Sequence, residues 1–469
     1  MATERETQSL KARRKKGKAL RQEVALSSHG EWKPVSDRPD PISLLQAQDE
    51  GRIKDLLPIK YGRMLESPFA FLRGSAAVMA SDLAGTPTTD IQAILCGDAH
   101  LSNFGVFASP ERKLIFDIND FDETYPGPWE WDLKRLAASA VVAGREKGFK
   151  EKKCRSLAVD LTRTYAQAMA KFSKARTLDV WYFHVEADAV VEAFDNSSKG
   201  GKERAVKMVK KARKKTYQQT MEKLTHFEDG KRRINSDPPL LVPIREWGLE
   251  EYFQDDDLFT QIEKGVEDAW SQYLESLPDE RRLLLQRYRI KDAALRVGGV
   301  GSVGTRCIIL LLEGEAEDDA LILQLKEAGP SALESYLTTQ RYKDHAHRVV
   351  TGQRLMQATS DIFLGWNTGL YSGRHYYWRQ LKDMKGSADV SQADYDGLQT
   401  YLAVCAVCLA RAHARTSDGA SIAGYIGKKG QFPKAIGDFA IAYANQTERD
   451  YQALVEAVES GRIAAEKGI

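Results

Sequence analysis

At 469 residues, with 42% hydrophobic and 29% charged residues, the chain can bury a sizeable core and has room for two to four domains or subdomains. Its 68 Lys and Arg against 66 Asp and Glu leave a formal charge of +2, which by itself gives no argument for a nucleic-acid partner. Five cysteines are too few for a disulfide framework, no apolar run approaches the roughly 20 residues that span a bilayer, and the basic N-terminal stretch lacks the apolar segment of a secretory signal, so a cytoplasmic protein without a membrane span is expected.

Residues 1–60 read as a basic helical arm, with "KARRKKGKALR" at 11–21. Residues 61–83 carry an apolar face expected to form a helix or a strand–helix unit. Short apolar strands are expected at 91–96 and 113–118, on either side of a loop at Asp98, and helical periodicity resumes over 129–146. From 150 to 226 the pattern is mostly helical and includes a second basic run at 199–216; 234–244 reads as a loop and 257–289 as helix. Both basic runs read most simply as a solvated tail and a solvated helix face. Either could also meet an anionic partner, but neither has the interleaved aromatic residues of a single-strand binder.

The texture changes at 291–328, which reads as strand, glycine turn, strand, acidic turn, strand. A long helix is expected at 331–357, a hairpin at 362–381 with turns at Gly369 and Gly373, and helix from about 391. The C-x-x-C of Cys405 and Cys408 lies in "YLAVCAVCLARAHA", which reads as a buried helix with core thiols. His184 reads as a core or surface residue.

The stretch "CGDAHLSNFGVF", followed by "LIFDINDFDETYPGPWEWDLKRLA", carries the chemistry. Phosphoryl transfer needs a carboxylate to orient or deprotonate the acceptor hydroxyl and two groups to hold magnesium against the phosphates. Asp98 and Asn103, five residues apart, have the spacing of a base and a metal ligand, and the next strand delivers Asp117, Asp120 and Asp122. A lone Gly-Asp or Ser-Asn would be an ordinary turn; the combination points to function.

This segment resembles the aminoglycoside-phosphotransferase branch of the protein-kinase-like fold, with its pattern H-G-D-x-H-x-x-N, a strand ending I-D-F, and G-D-P-x-x-D-L-A. Here the matching stretches are "CGDAHLSN", "NDFDE" and "GPWEWDLKRLA". The resemblance implies Asp98 as base, Asn103 and Asp120 as metal ligands, and Asp132 as a structural acid bracing the loop. Cys96 stands where the family has histidine, and Pro128 where it has aspartate, which puts one loop-bracing hydrogen bond in question. Over its length the chain is also similar to the bacterial domain of unknown function 2252, whose members share "GDAHLSNFG", "GPWEWDLKR" and "LARAHAR"-type stretches.

The resemblance also implies ATP, or another nucleoside triphosphate, with Mg²⁺, yet no glycine-rich hairpin precedes Asp98. Gly299, Gly301 and Gly304 form a G-x-G-x-x-G, with Ser302 inside it, between two strands, a context that suits a flap over phosphates. Lys326 lies late in the third strand, and Glu334 is the candidate ion-pair partner at the start of the following helix. Glu327, next to Lys326, should point to the opposite face. The expected architecture is therefore α+β, a kinase-like two-lobe fold that is circularly permuted. Its parts are a basic arm (1–60), the catalytic-loop part of the large lobe (61–150), helical additions to that lobe (151–290), a small β-rich nucleotide-binding lobe (291–385) and C-terminal helices (386–469). In that order "YLAVCAVCLARAHAR" resembles the family helix that leads into the catalytic loop, with His413 late in it.

The residues lean toward an enzyme, a phosphotransferase acting on a hydroxyl acceptor that the sequence does not identify. A metal-dependent phosphoesterase would use Asp98 and His100 as a D-x-H with further aspartates, but it wants a later G-N-H-[DE] that is missing and gives Lys326 no role. A non-catalytic nucleotide-binding protein and a nucleotidyltransferase are also compatible with the same scaffold. Arg73 and Arg306 could meet phosphate, although arginines in such positions usually make structural pairs.

Overall fold

The structure is a computed structural model, and it describes residues 8–195, 200–246, 256–316, 318–337, 342–369, 373–381, 384–386 and 392–469. The architecture is mixed α+β. The first part is helical: α1 (Leu10–Ala19), α2 (Pro41–Gln48), α3 (Leu57–Met64), α4 (Pro68–Gly74) and α5 (Ala76–Ala84). The apolar stretch expected as one unit over 61–83 is divided because Pro68 starts a new helix, with Ser67 capping it, and Ser75 ends that helix. Residues 11–21 are not a solvated tail. Gly17 lies against the backbone of Ser421, where a Cβ would come within 1.9 Å of the carbonyl oxygen. Arg13 pairs with Asp418, and Arg21 donates to the carbonyls of Gly424 and Tyr425 at 2.8 and 2.7 Å.

Four strands then frame the Asp98 loop: β1 (Gln92–Leu95), β2 (Phe104–Ala108), β3 (Leu114–Ile118) and β4 (Tyr125–Pro128). β1 pairs antiparallel with β4, and β2 with β3, in a register that sets Phe104 opposite Ile118. Next come α6 (Glu130–Glu146), α7 (Glu151–Phe172), α8 (Thr177–Tyr182), β5 (Val185–Glu186), α9 (Ala187–Asp195), α10 (Gly201–Lys214) and α11 (Tyr217–Leu224). A hairpin of β6 (Thr225–Glu228) and β7 (Lys231–Ile234) turns at Asp229 and Gly230, both with positive φ, as the Asp-Gly pair favours. The stretch read as a loop at 234–244 contains β8 (Leu241–Pro243); α12 (Asp256–Glu275) and α13 (Asp279–Leu285) follow.

The remaining strands are β9 (Arg289–Arg296), β10 (Cys307–Glu313), β11 (Ala320–Ala328), β12 (Gly365–Thr368) and β13 (His375–Gln380). With β8 they form an antiparallel sheet in the order β12-β13-β11-β10-β9-β8. β10 reads "CIILLLE" because both its faces are covered. Ile308, Leu310 and Leu312 pack with Tyr273 and Trp378, whose rings stack at 4.4 Å, while Ile309 and Leu311 pack with Met221 and Ile234. α14 (His345–Met356) lies between β11 and β12 in the chain and is shorter than the helix expected over 331–357: its start is set by Asp344, which caps it, and residues 332–336 form turns. The turn expected at Gly373 has positive φ there; residues 370–372 lie outside the described part.

The rest is helical, with α15 (Tyr395–Thr416), α16 (Gly419–Ile426) and α17 (Gln431–Glu459). These pack with α6 and α7 around the largest core, which includes Leu133, Leu136, Leu157, Leu161, Leu409 and Phe439. Cys405 and Cys408 are free thiols buried in it, as the core reading required. Among the described residues no helix is long and apolar enough to cross a membrane.

Candidate functional site

The Asp98 loop is held by α6. Asp132, in the first turn of that helix, accepts from the backbone amides of Cys96 at 2.8 Å and Gly97 at 3.0 Å. Gly97 has φ +82°, and a Cβ there would meet the Glu123 carbonyl at 2.1 Å, so only glycine makes this turn. His413 of α15 lies 3.3 Å from Asp132 through Nε2 and 2.8 Å from the Tyr165 hydroxyl through Nδ1. Asp132 thus takes the bracing position expected of it, and the histidine absent at Cys96 leaves no gap there: both amides are satisfied by one carboxylate.

Asp98 faces a cleft with 18% of its side chain exposed. Its Oδ1 accepts from Nε of Arg135 at 2.8 Å, and Arg135 Nη2 lies 2.6 Å away. Nε2 of His100 is 3.6 Å from the other oxygen. Burial pushes the Asp98 carboxyl above its ordinary value, against the opposing charges of Arg135 and Arg73. Burial, together with the same two arginines, holds His100 well below the usual imidazole range, so it is neutral. Asn103 donates through Nδ2 to the Asp98 carbonyl at 2.7 Å, which leaves the amide oxygen to the cleft.

The strand after this loop separates its three aspartates. Asp117 is buried in a two-point ion pair with Arg411 of α15, at 2.5 and 2.6 Å, and also accepts from the Ala358 amide. It is structural. Asp120 and Asp122 line the cleft. Asp120 is raised by burial and by the neighbouring Asp122 charge. Asp122 would be raised by burial too, but the Lys326 ammonium, with hydrogen bonds from Lys326 and Tyr377, holds it below the usual carboxylate range.

Lys326 sits on β11 with 6% of its side chain exposed and is ion-paired with Asp122. Tyr377, its cross-strand neighbour on β13, donates to the other Asp122 oxygen at 2.7 Å. Glu334 is not the partner of Lys326. The turn that carries Glu334 is docked by Glu123, which accepts from the Ala332 amide at 2.6 Å, and Glu334 itself lies 3.9 Å from His345. Glu327 points to the opposite face, as the strand alternation predicts, and pairs with Arg306 and Arg374.

The glycine turn runs between β9 and β10. Gly299, Gly301 and Ser302 line the same cleft; Gly304 and Glu334 do not line it. Gly304 serves the turn itself, with φ +85° and its carbonyl accepting from the Ile53 amide at 2.8 Å. Three more carbonyls of the turn are gripped from the N-terminal part of the chain: Arg63 of α3 donates to Gly298 at 2.5 Å, and Arg52, just after α2, to Gly301 and Val303 at 3.0 and 2.5 Å.

One cleft of about 610 Å³ therefore brings together Asp98, Asn103, Asp120, Gly299, Gly301, Ser302 and Lys326. Three further contributors do not stand out as site residues in the sequence. Asp122 lies in the "NDFDE" string without an evident role. Arg379 and Gln324 oppose each other across β13 and β11, where alternation puts them on the face of Tyr377 and Lys326; Arg379 donates to Gln324 at 2.9 Å. That alternation in "HYYWRQ" and "LILQLK" is the signal that could have found them.

Asn103 and Asp120 offer oxygen ligands from one wall, a donor set that fits Mg²⁺, which takes one or two carboxylates, substrate phosphates and water. Among the described residues no group of three or more His, Cys, Asp or Glu converges as a metal site.

No curated protein and no solved structure matches the chain. A family model described as an uncharacterized protein conserved in bacteria (DUF2252) matches residues 52–457. That span includes the Asp98 loop, the glycine turn and Lys326, and the chain belongs to this family.

Proposed function

We propose that the protein is an ATP- and Mg²⁺-dependent phosphotransferase of the kinase-like type, acting on a hydroxyl-bearing acceptor. The observation that carries the reading is spatial: the glycine turn and Lys326 face Asp98, Asn103 and Asp120 across one cleft, although the two sets come from distant parts of the chain.

The order of parts supports it. Taken from β9, the chain supplies a strand pair joined by a glycine turn, a third strand with a buried lysine, a helix and two more strands. α15 follows, and its His413 meets Asp132, the residue that braces the Asp98 loop. This is the sequence of parts expected of the kinase-like fold with its two lobes circularly permuted.

In this reading Asp98, oriented by Arg135 and Asn103, accepts the proton of the acceptor hydroxyl. Lys326, fixed by Asp122 and Tyr377, binds phosphate oxygens, and the amides of the glycine turn cover them. Asn103 and Asp120 would hold Mg²⁺, which supplies charge neutralisation on the phosphates.

Titration calorimetry of the full chain with ATP and Mg²⁺ tests the proposal. Binding is expected in the wild type, and it should lose its Mg²⁺ dependence in Asp120→Ala. Asp98→Asn should keep binding and lose at least about 100-fold in ATP turnover. A wild-type protein that takes up no nucleotide would sink the reading.

A further inference from the structure

Arg73 ends α4, just ahead of the Asp98 loop in the chain, and lines the same cleft. Its Nε is buried without a hydrogen-bond partner, and no guanidinium nitrogen of Arg73 has one among the described residues. The other buried arginines nearby have partners: Arg135 has Asp98 and the Leu72 carbonyl, Arg411 has Asp117 and the Met356 carbonyl, and Arg348 has three carbonyls. Asp98, a carboxylate that feels the charge of Arg73, is already committed to Arg135. A half-buried guanidinium that lines a cleft, with its Nε buried and no hydrogen-bonding counter-charge of its own, is a site for an anion.

Its position says which anion. The Arg73 carbonyl lies 3.6 Å from where a Cβ on Gly301 would be, so the residue abuts the tip of the glycine turn. Its charge also reaches Asp98 and His100. It therefore stands between the turn and the base. The backbone just before it is anchored, because Arg135, which holds Asp98, also donates to the Leu72 carbonyl at 2.6 Å.

We infer that Arg73 is a catalytic residue that binds the terminal phosphate of the nucleotide and stabilises the charge on the phosphoryl group in flight. The inference rests on the phosphotransferase reading. In the step, the acceptor oxygen forms a bond to phosphorus. The bond from phosphorus to the nucleoside diphosphate breaks, with its electron pair leaving on the diphosphate, and the hydroxyl proton passes to Asp98. The equatorial phosphoryl oxygens bear the developing charge, which is where a guanidinium supplied to such a centre acts.

The test compares ATP and ADP, each with Mg²⁺, by calorimetry on the full chain. Arg73→Gln, which keeps most of the stem and removes the charge, should weaken ATP at least tenfold and leave ADP within about twofold. Arg73→Lys should fall between, and ADP with aluminium fluoride, a mimic of the phosphoryl group in flight, should lose more affinity than ATP does. If Arg73→Gln does not fold, the same ATP-to-ADP ratio in Arg73→Lys decides the question. Equal effects on both nucleotides, or none, would overturn the assignment, including the case in which Arg73 binds an anionic acceptor instead. A wild type that binds ADP and ATP alongside an unresponsive variant defeats this inference alone; a wild type that binds neither defeats the phosphotransferase reading with it.

Discussion

Lys326 and Asp122, 204 positions apart in the chain, form an ion pair that joins the small sheet to the loop after β3. Asp122 has two further contacts: Tyr377 donates to its carboxylate from β13, and Arg348 of α14 donates to its backbone carbonyl at 2.9 Å. The two walls of the cleft are therefore linked through the groups that face into it.

Removing the lysine leaves a carboxylate that still has Tyr377 and partial access to water. Lys326→Met should therefore destabilise by about 2 kcal/mol, below the usual range for a fully buried pair. A double-mutant cycle with Asp122→Asn, read by urea unfolding, should give a coupling energy above about 1 kcal/mol. Additive effects would show that the pair does not join the two cleft walls energetically.

Asp132 satisfies two buried amides with one side chain. Asp132→Ala strands both, and each costs about 1–3 kcal/mol when left unmade. A loss of about 3 kcal/mol is expected in chemical denaturation, with Asp132→Asn milder because it keeps an acceptor. A change under about 1 kcal/mol for the alanine variant would mean that the loop finds other support.

The Asp117–Arg411 pair near the site is enclosed, with side chains 1% and 2% exposed. Arg411→Ala leaves a buried negative charge and should cost about 3–5 kcal/mol. ATP affinity measured below the unfolding transition should change less than about threefold. A selective loss of metal or nucleotide binding at full stability would instead return Asp117 to the site.

A buried histidine, His29, and a half-buried one, His345, set an acid limit on stability. His29 is lowered to about 3 by burial and by Lys134, and His345 to about 4 by burial, Arg348 and His375. Their folded values lie below the unfolded value near 6.5, so the unfolded chain binds protons first as the pH falls. The contribution is fully present above about pH 6.5 and is lost between there and about pH 3 to 4, at up to about 1.4 kcal/mol per pH unit for each residue. His29→Gln should flatten the unfolding free energy against pH between about 6 and 4; an unchanged slope would refute this account.

Much of the site was legible because its chemistry is local in the chain. Asp98 and Asn103 lie five residues apart, Asp120 follows just after the next hairpin, and the glycine turn announces itself between two apolar strands. Alternation along β11 also fixed Glu327 to the face away from Lys326. The partner of Lys326 was not legible, because pairing in space across 204 positions leaves no periodic trace. Glu334 is the nearest acid on the following segment, yet Glu123 docks its turn elsewhere. The helix expected from 331 begins later, because apolar spacing alone does not reveal the Asp344 cap that starts α14. The sequence assigns no element to 227–233, so the β6–β7 hairpin is new despite its Asp-Gly turn: its strands are short and charged and carry no apolar alternation.

The separation between the two cleft walls governs how the protein is made. Asp122 leaves the ribosome on the order of 10–40 s before Lys326, at the usual pace of about 5–20 residues per second. Over that interval the acidic loop must stay soluble without the cation that later neutralises it. The cleft can thus be completed only after Lys326 and β13 have emerged, so a truncated translation product that lacks the sheet carries only one of its two walls.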